Sequence, residues 1–140
     1  MKMFQILAAS ALASILAALP ATAETVMLKG DLKASNEVPP NSSPATGTAE
    51  ATFDTASKML SWTVTYAGLS GPAMGAHFHG PGEAGKNAGI VLPFQSPVSP
   101  IKGSATLTDA QAADLLAGKW YANVHTAANP GGEIRGQMLK

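Results

Sequence analysis

Hydrophobic and polar positions alternate along most of this chain with a period of two. In 25–33, Val26, Leu28 and Leu32 alternate with Met27, Lys29, Asp31 and Lys33. In 47–54, Ala49, Ala51 and Phe53 alternate with Thr48, Glu50 and Thr52, and further on Leu60, Trp62, Val64 and Tyr66 alternate with Ser61, Thr63 and Thr65. Successive side chains of a strand leave opposite faces, so each run predicts a half-buried strand. Further strands are predicted over 75–80, 88–94, 101–107, 119–126 and 133–139, set apart by Pro39-Pro40, Gly71-Pro72, Gly80-Pro81-Gly82, Pro97, Pro100 and Pro130-Gly131-Gly132. One helix is expected, over about 108–117. Thr108 can cap it, Gln111 completes a capping box, and Gly118 can close it. Many short strands, one connecting helix and no internal repeat predict a single all-β sandwich or barrel.

The first stretch follows a different pattern. Lys2 precedes an apolar run from Ile6 to Leu19, Pro20 breaks it, and Ala21-Thr22-Ala23 forms a small-x-small site before Glu24. This is the three-part layout of a cleaved secretory signal peptide over 1–23, too short to be expected as a membrane anchor. Residues 24–140 then form one domain, exported to a periplasm or secreted, with no membrane attachment after cleavage.

Composition narrows the function. The 140 residues hold 9 Lys+Arg against 9 Asp+Glu, 3 His and no Cys. The cations are scattered singly, which gives no basic stripe for a nucleic acid. Without Cys there is no disulfide framework, thiolate metal site or cysteine nucleophile. No Gly-x-Ser-x-Gly elbow, phosphate loop or dinucleotide fingerprint is present.

The histidines carry the chemistry. His77 and His79 share one face of their strand, opposite Ala76 and Phe78. His125 shares a face with Tyr121 and Asn123, opposite Trp120, Ala122 and Val124. In the last strand Ile134 and Met138 point inward, while Glu133, Arg135 and Gln137 point out. All three histidines are thus expected on the non-core, accessible side. If their strands pair, three imidazoles converge near Tyr121, Asn123, Glu133 and Arg135. Three neutral imidazoles suit a borderline metal, with copper favoured by affinity order and zinc the alternative. Met74 is a speculative soft fourth ligand, and otherwise a gap-filler. Tyr121, Asn123, Glu133 and Arg135 are candidates for supporting the ligands, although Glu133 and Arg135 also read as a surface cross-strand pair. The prolines after Glu37 fix an extended edge or loop, and Glu37 itself reads as structural.

Several motifs in order resemble the chordin-type (CHRD) domain family. They are Leu32-Lys33-Ala34-Ser35-Asn36-Glu37-Val38-Pro39-Pro40, Gly75-Ala76-His77-Phe78-His79-Gly80-Pro81, Trp120-Tyr121-Ala122-Asn123-Val124-His125-Thr126 and Pro130-Gly131-Gly132-Glu133-Ile134-Arg135-Gly136-Gln137. The resemblance implies an all-β, immunoglobulin-like or superoxide-dismutase-like β-sandwich. It also implies that the two histidine strands pair, since parity fixes only which way side chains face. The histidines fall in the family's motif segments, which makes metal binding a reasonable carry-over.

Three function classes follow. The leading one is an exported metal-binding protein, most simply for copper, serving in buffering, delivery or tolerance. A mononuclear copper or zinc enzyme on the same three histidines is the second, with no additional general base evident beyond Glu133 or Tyr121. A metal-free adhesion or interaction module is the third, and a homodimer sharing the exposed face stays open.

Overall fold

The computed structural model describes residues 18–19 and 22–140, so the leader expected over 1–23 lies largely outside the described residues. The described residues form strands β1 (Thr25–Lys33), β2 (Thr46–Asp54), β3 (Met59–Ala67), β4 (Ala73–His79), β5 (Ile90–Pro93), β6 (Ile101–Thr106), β7 (Tyr121–Thr126) and β8 (Ile134–Gln137). One α-helix, α1 (Asp109–Leu116), joins β6 to β7, and a 3₁₀ turn at Ala34–Asn36 follows β1. The all-β fold with one short helix is as expected. Thr108 and Gln111 make the reciprocal capping box, and Gly118 at φ 75° ends the helix.

All strands pair antiparallel in one sheet of order β5-β4-β7-β8-β1-β2-β3-β6. The sheet curls until its halves face each other. Trp62 on β3 packs edge-on against Phe78 on β4, with centroids 5.5 Å apart, although those strands stand seventh and second in the order. The sandwich therefore comes from one folded sheet rather than from two hydrogen-bonded ones. Its bend lies at the β8–β1 seam, where pairing is confined to Lys33 with Arg135 and a bridge from Lys29 to Leu139. Between these points the backbones approach so closely that a Cβ on Gly136 would run into the Asp31 carbonyl.

The enclosed face holds Leu32, Phe53, Leu60, Phe78, Trp120 and Ile134, each fully buried. At about 1.5–3 kcal/mol per buried large apolar side chain, this face dominates stability. Beyond the bulge at Met74, the even-numbered residues of β4, β7 and β8 lie here, which directs their odd-numbered residues to the other face.

Candidate metal centre

Register brings the three histidines together. β4 pairs with β7 so that Gly75 stands opposite His125, His77 opposite Asn123, and His79 opposite Tyr121. Cross-strand neighbours share a face, so the imidazoles collect on one patch. Ring centroids are 4.9 Å apart for His77–His125, 5.5 Å for His77–His79 and 6.0 Å for His79–His125. One ligand nitrogen from each ring lies within 4.8 Å of the other two.

Backbone carbonyls orient two of the rings. His79 Nδ1 donates to Ala88 O at 2.9 Å, which leaves Nε2 as the lone-pair nitrogen. That Nε2 is buried and has no hydrogen-bond partner among the described residues. His125 Nδ1 donates to Pro130 O at 2.9 Å, and its Nε2 lies 3.2 Å from His77 Nδ1. A metal held at ~2.05 Å by tetrahedrally disposed imidazoles separates their nitrogens by about 3.3 Å, so one edge already fits and small ring rotations close the others. Burial and the neighbouring imidazoles push the His77 pKa down to about 4. Burial also lowers that of His79, against the pull of the Ala88 carbonyl. Near neutral pH both rings are uncharged, the form that binds metal.

The expected accessible patch is in fact covered. His79 is only 8% exposed, His77 and His125 are half-buried, and Tyr121, Asn123, Glu133 and Arg135 are all buried. The cover is the loop 80–89 together with segment 34–41. Arg135 reaches across to Asn87 Oδ1 and to the carbonyls of Glu83 and Lys86, and Gln137 Nε2 donates to Gly82 O. Tyr121 Oη bonds both the N–H and the carbonyl of Ala88, the residue whose carbonyl also orients His79.

The surrounding residues divide accordingly. Tyr121 stacks on His79 with centroids 4.9 Å apart and planes 2° from parallel. From the flanking strand on its other side, the Arg135 guanidinium carbon sits 3.4 Å from the Tyr121 ring centre. Asn123 Oδ1 lies 2.9 Å from His125 Nε2. Arg135 thus acts on the histidines through Tyr121 and the loop. Glu133 is fully buried and accepts from Ser70 N and Asn129 Nδ2, fastening loops away from the imidazoles. The surface Glu133–Arg135 pair suggested by the alternation does not form, because covering loops offer each side chain other partners. Met74 falls in the bulge between Ala73 and Gly75 and is 69% exposed.

Glu37 is the residue that sequence reasoning undervalued. Its carboxyl is buried beside Asn123, and burial raises its pKa to about 7 despite the Arg135 charge and the Asn123 hydrogen bond. Its signal was the pinned segment Asn36-Glu37-Val38-Pro39-Pro40, whose destination the strand pattern does not reveal.

The family model for the CHRD domain matches residues 28–138, well over half of the chain and inclusive of all three histidines. The chain belongs to the CHRD domain family. No curated protein and no solved structure matches it. CHRD domains are typically extracellular, and no helix among the described residues is long and apolar enough to cross a membrane. In this CHRD domain the imidazole cluster is compatible with metal binding, and it joins two of the motif segments on which the family resemblance rests.

Proposed function

We propose that this CHRD domain is an exported copper-binding protein that holds one ion through His77, His79 and His125. The observation that carries the reading is the buried Nε2 of His79. It has no hydrogen-bond partner among the described residues and belongs to a group of three convergent imidazole nitrogens. A buried polar atom left unpartnered costs on the order of 1–3 kcal/mol, and a metal ion removes that cost. The donor set is all imidazole, which suits copper and zinc, and the affinity order places Cu(II) above Zn(II). The half-buried rims of His77 and His125 leave one side open for the ion to enter and leave, as buffering or delivery requires. The apolar leader ending at Ala21-Thr22-Ala23 supports a periplasmic or secreted location.

The test is titration of the metal-free protein with Cu(II), Cu(I) and Zn(II), alongside single His→Ala variants at 77, 79 and 125. Each variant is expected to lose at least ~100-fold in copper affinity while melting within a few degrees of the parent. Unchanged affinity in all three variants would refute the site. Tight binding joined to metal-dependent turnover of superoxide, peroxide or an activated ester would move the reading to a mononuclear enzyme.

A further inference from the structure

The histidine cluster has a support that touches no ligand. The segment after β1 is stapled to β8 on both sides of Glu37. Asn36 Nδ2 donates to Arg135 O at 3.0 Å, and Asn41 Nδ2 donates to Glu133 O at 3.0 Å. Val38 O accepts from Asn87 Nδ2 at 2.9 Å, tying the same segment to the covering loop. The Glu37 side chain is thereby delivered beneath the β7–β8 hairpin, where it is only 5% exposed.

Its place there is made by a glycine. A Cβ on Gly132 would sit 2.5 and 2.7 Å from the two carboxyl oxygens of Glu37 and 2.8 Å from Asn123 Nδ2. Carboxyl and amide therefore share one small space, with the amide nitrogen facing the carboxyl. The other end of that amide, Oδ1, faces His125 Nε2 at 2.9 Å.

An amide has a donor end and an acceptor end, and turning it over exchanges them. In its ionised form the Glu37 carboxyl accepts only, so it holds the Asn123 nitrogen toward itself and the oxygen toward His125. An oxygen facing Nε2 accepts from it, so the place beside that nitrogen suits a cation, whether a proton or the metal ion that displaces it. The reversed amide would donate to Nε2 and mask it. We propose that Glu37 is a positioning residue for the histidine site, fixing the orientation of the Asn123 amide so that His125 Nε2 faces an acceptor, beside which a cation can sit, and not a donor that would cap its lone pair.

A purely structural role would be better served by glutamine. Glu37 Oε1 is buried without a hydrogen-bond partner among the described residues, and no salt bridge satisfies the carboxyl there. Burying a carboxyl in that state is costly, and burial accordingly drives its pKa to about 7. A carboxyl kept buried at such cost fits a residue that acts on a site.

The inference rests on the proposed metal site, but its first readout does not need a metal. In metal-free Glu37→Gln, the amide is released to turn. The His125 Nε2 ¹⁵N resonance is then expected to move toward that of a hydrogen-bonded lone pair, with the fold unchanged by circular dichroism. Copper affinity is expected to fall roughly 10–100-fold, the range for losing an outer partner of a ligand. The exchanged pair Glu37→Gln with Asn123→Asp again presents an oxygen to His125 and is expected to recover most of that loss. A Glu37→Gln protein with unaltered His125 resonances overturns the inference, whether or not copper binds. Altered resonances with no copper binding even by the parent would leave the Glu37 linkage standing and remove the metal reading. Should Glu37→Gln fail to fold, Glu37→Ala, which also releases the Asn123 amide, supplies the same measurement: loss of copper affinity with His125 resonances shifted supports the linkage, and parental values for both overturn it.

Discussion

The half of the sheet formed by β4, β7 and β8 is buried on both faces, but by different means. Its even-numbered side chains, among them Phe78, Trp120, Val124 and Ile134, meet the opposite half of the same sheet and are fully enclosed by apolar neighbours. Its odd-numbered side chains, His79, Tyr121, Asn123 and Arg135, are nearly as buried, yet they are covered by loops, whose backbone carbonyls accept from His79, Tyr121 and Arg135. The first face holds the fold by area and packing. The second contributes little by burial and instead fixes directions: which nitrogen of each histidine points where. A site that must hold an ion needs the second kind of burial, because apolar packing cannot choose a tautomer.

Substitutions on the two faces should therefore separate stability from binding. Phe78→Ala, which removes the ring contacting Trp62, Phe94 and Trp120, is expected to cost about 3–5 kcal/mol in chemical denaturation. A cost below ~1 kcal/mol would mean that the apolar face is not the dominant one. Arg135→Met keeps the bulk but leaves the Lys86 carbonyl and Asn87 Oδ1 without their Arg135 donor, at about 2–3 kcal/mol. Its more telling readout is hydrogen exchange, which should quicken in loop 80–89 before the strands.

A smaller effect follows from pH. The Glu37 pKa is raised from 4.5 to about 7 in the folded chain, so the folded state holds that proton more tightly than the unfolded one. Stability from this group is complete below about pH 4.5 and is lost as pH rises toward 7, by roughly 2 kcal/mol between pH 5 and 8. His77, lowered to about 4, acts in the opposite sense and weakens the fold as pH falls from 6.5 toward 4. Denaturation of the parent and of Glu37→Gln across this range isolates the Glu37 contribution. The variant should gain relative stability as pH rises, and parallel curves would contradict the burial of an ionising carboxyl.

How much of this was legible in the sequence also differs between the faces. Strict alternation located β1, β2 and β3 almost to the residue, and the Thr108–Gln111 box located α1, since both signals are local. That His77, His79 and His125 each leave the non-core side of their strands was legible for the same reason, whereas the pairing of those strands came from the family resemblance. The covering of that side was not legible, because loop 80–89 and segment 34–41 carry Gly, Pro and Asn, which mark a turn without saying what lies beneath it. Arg135 and Glu133 consequently read as surface charges, and Glu37 as a structural residue beside prolines. Nor does alternation tell one curled sheet from two, since that depends on the close approach at Gly30 and Gly136 between strands distant in sequence.

The most direct test of the account is the response of the three histidine ring systems to one equivalent of copper. If the site is as described, the resonances of His77, His79 and His125 move together and saturate at one ion per chain. Weak, independent shifts that continue past one equivalent would contradict it, leaving a covered polar face that binds no ion.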